Sequence, residues 1–461
     1  KVCLDFQPDI VFDIRDYWMS EFQSRSPYRP YYKWAIMPTV DALCQDDQWL
    51  STYCSADAVL TYQDWSGKTL MDETGGKAKW VGSASPSAEE AFKPLSPEEK
   101  DTLRQRLGLP VDLKVLGTVM RNQRRKLYPE LFEAFREYLD MHDDGKTVLY
   151  CHTSYPDRGW DIPALIKEYG LSSKVYFTYV CGTCAFAYPS LFQDAIAYCP
   201  QCKKQDAGLA NVSRGVNPET LSKIYGIFDL YVQYANSEGF GIPQIEAAAC
   251  GIPVASVDYS AMTDVVRKLK GYPIELKMLY KEMETGCKRA YPEPKSLIDI
   301  VHHFFSLPKE MRQRKGVDTR AAFEEHYSWD KTADKWMEVF DSLDTIPHEE
   351  GWGSPPRIHR PAPYPQDSSQ FTNIQYAKWL IINVLGEPEK LNTYMETRLV
   401  RDLNYGVALE GIAGLYYNEQ SHIFAQGQYN PFNREIAHQK MVAMCNRRNS
   451  WEQTRYSKIS E

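Results

Sequence analysis

The run Ser237-Glu238-Gly239-Phe240-Gly241-Ile242-Pro243-Gln244-Ile245-Glu246 sets two carboxylates around two glycines. It follows an apolar segment, Asp229–Gln233, and leads into Ile242–Cys250, which has the composition of a helix. Glycines there let the backbone approach a ligand, and the exposed amides and positive dipole end of the helix favour a phosphate or sugar oxygen. Two acids beside one anion site cannot both serve the anion. They suit the acceptance of hydrogen bonds from hydroxyls, as an acidic residue does on a ribose. On spacing alone, a capped helix with an incidental Glu is the alternative. Four cysteines form the second group: Cys181-Gly-Thr-Cys184 and Cys199-Pro-Gln-Cys202, with fourteen residues between the pairs. Four thiolates complete a tetrahedral zinc shell and leave no position open for substrate, so the expectation is a structural zinc ribbon, not a catalytic metal.

These groups need a scaffold, and the flanking sequence supplies a strand–helix alternation. Short apolar runs at 8–14, 33–40 and 56–62 each end in polar residues, as parallel strands with functional loops at their C-terminal ends do. Ser96 with Pro97 and a closing Gly108 marks a helix. Strands are expected at 114–119, 147–151, 174–180, 229–233 and 252–256, and helices near 128–142, 162–169 and from Asn217-Pro218. Ser328 caps what reads as the last helix of this unit. The resulting organisation is an amino-terminal Rossmann-like domain over 1–93 and a second over 94–345, with the ribbon inserted at 178–205. A Pro-rich linker over 346–370 and a mainly helical extension over 371–461 follow, the latter from the spacing of Ile374, Ala377, Trp379, Leu380 and Val384.

The segment SEGFGIPQIEAAACGIPV resembles the Glu-x7-Glu signature of the GT-B retaining glycosyltransferases of family four, the group 1 glycosyltransferases. A second block, Gly117-Thr-Val-Met-Arg121-Asn122-Gln-Arg-Arg-Lys126, matches the family's loop in which an Arg and, five residues later, a Lys face the donor diphosphate. The resemblance covers roughly residues 8–345. It implies an α/β GT-B fold and a nucleotide-diphosphate sugar as donor, bound between two doubly wound domains. By the same resemblance Glu246 takes the ribose hydroxyls and Glu238 the transferred sugar. Gly239, Phe240, Gly241, Ile242 and Asn122 lie against the donor. Arg121 and Lys126 neutralise the leaving diphosphate, so no catalytic metal is required. Retention of configuration is implied by the family resemblance alone. The family also places a polar residue at a strand end facing the reacting sugar. Asp41 is the candidate for that place, and Asp16 is the alternative. Arg124 and Arg125 read as a solvated basic loop, and His152 either lines the cleft or is structural. The chain departs from the family at Gly82-Ser-Ala-Ser-Pro, where many relatives have Gly-Val-Asp, which puts contacts at that turn in doubt.

Composition bounds the rest. The 461 residues carry 53 basic and 61 acidic side chains, a formal charge of −8, and 43% hydrophobic residues. That excludes wholesale disorder and a disulfide miniprotein, and it argues against nucleic acid as the main partner. The longest apolar stretches, such as 379–385, are too short for a membrane span. Eleven cysteines, mostly scattered, suit a reducing, cytoplasmic setting. The chain begins Lys-Val-Cys, and little sequence precedes Phe92-Lys-Pro-Leu for a Rossmann-like domain. An upstream segment or a second chain is therefore expected to complete the amino-terminal domain. Two other readings stay open: an inactive glycosyltransferase-like binding protein, and a glycosyltransferase acting on modified DNA through the ribbon.

Overall fold

The computed structural model describes residues 2–26, 28–193, 195–353, 372–379, 396–397 and 399–401. The chain divides into two units, Lys1–Pro355 and Pro356–Glu461. In the first unit four parallel strands, β1 (Ile10–Arg15), β2 (Lys33–Pro38), β3 (Ala58–Thr61) and β4 (Trp80–Ser83), lie in chain order. Side chains alternate across this sheet. Trp34, Ile36 and Val59 pack on one face with Tyr53 and Leu70, and Ala35, Met37 and Leu60 pack on the other.

The cover on that second face comes from far along the chain. Helix Trp329–Ser342, whose cap Ser328 accepts from the Asp330 amide, sets Trp336 and Phe340 edge-on to Phe12 and buries Val339 among Ala35, Met37 and Leu60. The sequence boundary at 345 grouped this helix with the second domain, but its apolar stripe fits the first sheet. The expected linker from 346 also begins later than its composition implied. His348–Gly351 is a short helix, and Trp352, 3% exposed, packs in the first core and donates from its indole to Pro8 O (3.2 Å). The rest of that linker lies outside the described residues. In the second unit Asn373–Trp379 is helical, in line with the expected helical extension; most of that extension is outside the described residues.

The second sheet of the first unit contains β5 (Lys114–Val119), β6 (Thr147–His152), β7 (Val175–Cys181), β8 (Ala187–Leu191), β9 (Ala197–Tyr198), β10 (Gln205–Leu209), β11 (Leu230–Gln233), β12 (Val254–Val257) and β13 (Tyr272–Ile274). The parallel part runs β13-β12-β11-β5-β6-β7. In chain order that is the 3-2-1-4-5-6 sequence of a doubly wound sheet, whose switch point falls between β5 and β11. The cysteine segment is no detached insertion at 178–205. β7 runs through the first cysteine; β6 pairs with its start, β10 with its end, and β8 with both stretches. A separate hairpin, β14 (Leu276–Lys281) and β15 (Lys288–Pro292), follows β13.

The helix Pro97–Arg106 has the expected capping box, Ser96 with Glu99. Its Lys100 and Arg104 reach the Asp229 carboxylate at 2.9 and 2.8 Å, and that carboxylate also accepts from the Val115 amide. Burial pushes this carboxyl up, but Lys100 and Arg104 outweigh it and hold it down at about 2. The folded value lies below the ordinary one of about 3.9, so the contribution to stability is complete above about pH 4 and is lost as pH falls towards 2. Asp229→Asn is expected to cost about 3–5 kcal/mol, because it leaves two cations without their counter-charge. It should also flatten the acid limb of a denaturant-midpoint-against-pH curve between about pH 4 and 2. An unchanged acid limb in the variant would show that the pair is not the source.

Candidate functional site

The switch point decides what meets what. The loop after β5 carries Lys126, the loop after β11 carries Glu238, and the two strands are neighbours. Backbone bonds lock the loops together: Asn236 N donates to Arg125 O (2.9 Å) and Leu127 N to Tyr234 O (3.2 Å). As a result the Glu238 carboxylate, 6% exposed, receives three donors. Lys126 Nζ contacts Oε1, Arg125 Nη1 lies 2.6 Å from Oε2, and Gln233 Nε2 donates to Oε1 at 2.6 Å. Ser260 fixes the backbone of the same residue, accepting from Glu238 N (3.0 Å) and donating to Glu238 O (3.1 Å). Burial, and secondarily Arg125, push the Lys126 ammonium well down. The carboxylate against which it lies is what favours keeping its charge.

The helix Ile242–Ala249 starts at Gly241, which sits at φ 90°, ψ 57°. Glycine tolerates this left-handed backbone without cost, and a side chain there would also run into Gln244 Nε2. Gly239 is required for a different reason. A Cβ on it would meet Thr39 Cγ2 at 2.4 Å, so the loop after β2 packs tightly against this turn. Phe240 is buried, its ring 6.2 Å from that of Tyr62 and 6.1 Å from that of Tyr327, while Ile242 is exposed. Glu246 lies one turn into the helix, and its Oε2 accepts from the Tyr225 hydroxyl at 2.7 Å. Burial raises the Glu246 carboxyl, and the Tyr225 hydrogen bond works against that rise. The two acids thus differ: Glu238 is wrapped in cations, Glu246 in a phenol.

Other candidates from the sequence are placed as follows. Asp41, after β2, accepts from Arg289 Nη1 (2.8 Å) and Ser237 Oγ (3.3 Å), which brings it to the Glu238 loop. Asp16 precedes the short helix Tyr17–Ser20 and does not cap it through its side chain. Arg121 turns away: its guanidinium, 51% exposed, forks onto Asp157 at 2.7 and 3.1 Å. Asn122 is buried and committed at both ends of its amide, donating to Trp160 O and accepting from Trp160 N, both at 2.8 Å. Its observed work is to brace the 157–161 loop. His152 is held at 2.9 Å from Thr178 Oγ1, and burial lowers its imidazole to about 4, which favours the neutral ring.

Sequence reasoning missed Arg125, Gln233, Ser260, Tyr225 and Arg289. Arg125 read as part of a solvated loop because the backbone pairing that turns it inward joins residues over a hundred positions apart. For Tyr225 and Arg289 no local pattern exists.

The four cysteines converge. Their sulfurs all lie within 4.8 Å of one another, with Cys181–Cys202 and Cys184–Cys199 at 3.6 Å. Tetrahedral zinc with bonds of about 2.3 Å separates its sulfurs by roughly 3.8 Å, so the cage has the right size. Each pair forms a like turn: Ala185 N donates to Cys181 O and Lys203 N to Cys199 O, with both donors at positive φ. The Cys184 amide, which faces the Cys181 sulfur, pulls that thiol down to about 7. Asp206 braces the first turn through Gly182 N and Thr183 Oγ1.

Residues 200–278 match the family model described as glycosyl transferases group 1. The D-inositol 3-phosphate glycosyltransferase of Corynebacterium urealyticum is 25% identical over 307 residues, 64% of this chain and 59% of that protein. That of Corynebacterium jeikeium is 26% identical over 207 residues, 44% of this chain and 41% of the relative. The chain therefore spans less than two thirds of the length of these relatives. Sucrose-phosphate synthase from Thermosynechococcus elongatus is similar in structure, with a TM-score of 0.54 at 16% identity over 74% of this chain and 75% of that one. Anabaena HepE in complex with UDP and glucose gives 0.52 at 14% identity, covering 74% and 80%. The fold is GT-B.

Proposed function

We propose that this GT-B chain transfers a sugar from a nucleotide-diphosphate donor to an acceptor, with retention of configuration. The observation that carries the reading is the Glu238 carboxylate, buried at the switch point between Lys126 and Arg125, with Glu246 eight residues on and Asp41 opposite. The family match over residues 200–278 includes both acids. In this reading Glu246 accepts from the ribose hydroxyls, with Tyr225 fixing its carboxylate. Glu238 accepts from the sugar being moved. The helix amides from Phe240 to Ile242 and the Lys126–Arg125 pair meet the charge that grows on the diphosphate as the glycosidic bond breaks, so the chain's own cations supply what a metal otherwise would. Asp41 faces the reacting centre from the first sheet. The cysteine cage is proposed to hold one structural zinc, since four thiolates close its coordination.

The test is release of nucleoside diphosphate from UDP-glucose, UDP-N-acetylglucosamine, ADP-glucose and GDP-mannose, with and without D-inositol 3-phosphate as acceptor. UDP-glucose is the first choice because the structurally similar HepE holds UDP and glucose, and the acceptor is that of the relatives named above. At least one donor is expected to turn over, and Glu238→Gln to abolish it. Binding of a nucleotide without turnover of any donor would favour the inactive binding protein instead.

A further inference from the structure

The β14–β15 hairpin plays no part in donor binding as proposed, yet it bridges the two sheets. Lys288 N donates to Leu43 O (2.9 Å) in the loop after β2. The Tyr259 hydroxyl accepts from Leu43 N (3.0 Å) and donates to Lys288 O (2.6 Å), clamping the same junction. On the other side, Ala290 N donates to Asn236 O (3.0 Å), and Asn236 Nδ2 donates to the Tyr280 hydroxyl (3.1 Å). The side chain delivered between these two anchor points is Arg289, 7% exposed. Its Nη1 donates to Asp41 Oδ2 and to Ser237 Oγ, both at 2.8 Å. Its Nε and Nη2 lie 3.0 and 2.9 Å from Glu282 Oε2 on the hairpin itself. One guanidinium therefore spans the end of β2, the residue before Glu238, and its own hairpin.

We infer that Arg289 is a positioning residue for sugar transfer, holding the Asp41 carboxylate in register with the Glu238 loop across the gap between the sheets. The inference rests on the glycosyltransferase reading. Arginine is needed because its planar fork addresses Asp41 and Glu282 in two directions at once; an ammonium is a single point charge. Asp41 and Ser237 lie on loops of different sheets, and without the fork their side chains are joined only by the longer Ser237 Oγ–Asp41 Oδ2 bond (3.3 Å), while the Leu43–Tyr259–Lys288 clamp holds backbone and not the carboxylate. A displacement of about 1 Å at such a place costs on the order of 10²-fold in rate.

The experiment is a double-mutant cycle on the whole chain: Arg289→Met, Asp41→Asn, the double variant, and Arg289→Lys. Each is assayed for nucleoside diphosphate release from the donor that the panel identifies, for affinity towards the nucleoside diphosphate of that donor, and for Tm. Arg289→Met is expected to lower kcat by about 10²-fold while that affinity holds. The double variant should be no slower than Asp41→Asn, because the two residues act as a unit. Arg289→Lys should restore Tm more fully than kcat. Additive losses in the cycle, or a kcat that returns together with Tm in the Lys variant, would make Arg289 a structural bolt and overturn the inference. An active wild type with an unaffected Arg289→Met variant removes this inference alone. A wild type inert towards every donor removes the transferase reading and this inference with it.

Discussion

Lys126→Ala is expected to lower kcat by about 10²–10³-fold, roughly 3–4 kcal/mol of barrier, while the protein stays folded. The size follows from where the ammonium sits. Lys126 is 5% exposed, so its charge acts in a poorly screened setting, against Glu238 in the loop that leads into the helix Ile242–Ala249. Survival of the fold follows from the backbone, not the side chain. Lys126 pairs with Ala235, and its carbonyl accepts from the Trp160 indole at 2.8 Å; neither contact needs the Nζ. Loss of the ammonium also leaves the buried Glu238 with Arg125 and Gln233 alone, so a small drop in Tm accompanies the loss of rate. Steady-state kinetics and circular dichroism on one preparation check both halves, and near-normal turnover in a folded variant would remove Lys126 from the chemistry. Arg125→Ala and Arg121→Ala separate the two arginines. The larger loss is expected at Arg125, which touches Glu238; a larger loss at Arg121 would return the diphosphate role to the residue now on Asp157.

The second large effect is that of the metal. Purified protein is expected to carry about one zinc per chain, and Cys181→Ser or a strong chelator to remove it. In small zinc modules such binding is worth about 10–16 kcal/mol of apparent free energy, all of it coupled to folding. Here the consequence is local. β7 and β10 pair within the main sheet, so loss of the ion should release the turns at Cys184 and Cys202, and β9 with them, before it unfolds the domain. Amide exchange should accelerate across residues 182–186 and 197–204 and hardly at all in β5, β8 or β11. Metal analysis that finds no zinc, with the four thiols all titrating with a disulfide reagent, would defeat the site.

Most elements around the second sheet were legible because their signals are local. Ser96 and Asn217 cap the helices their sequences announce, and β5, β6, β11 and β12 fall where the apolar runs lie. The convergence of the four cysteines was equally readable, since each pair is close in sequence and the two pairs are only fourteen residues apart. What stayed hidden is whatever depends on two distant segments meeting. Arg125 turns inward because of strand-like pairing with residues 235–236, and Asn122 is consumed by Trp160. Asp41 acquires its partner from residue 289. Family spacing indicated Arg121 as the loop's cation; the backbone pairing brings Arg125 to Glu238 instead. The end of the first domain was hidden for the same reason, since a helix at 329 shows its period but not which sheet its stripe will cover.

That helix has a consequence for how the chain is made. The first sheet is made before the second, yet Trp336, Val339 and Phe340 from beyond the second close over one of its faces, and Trp352, bonded across 344 residues to Pro8, packs in its other core. Until those residues are synthesised, Phe12, Met37 and Leu60 have no helix over them. The intervening doubly wound sheet draws its strands from a contiguous stretch and can fold in the meantime. Sealing of that face therefore waits for residues made after the second sheet, and a chain stopped before residue 329 is expected to leave it without its Trp329–Ser342 cover.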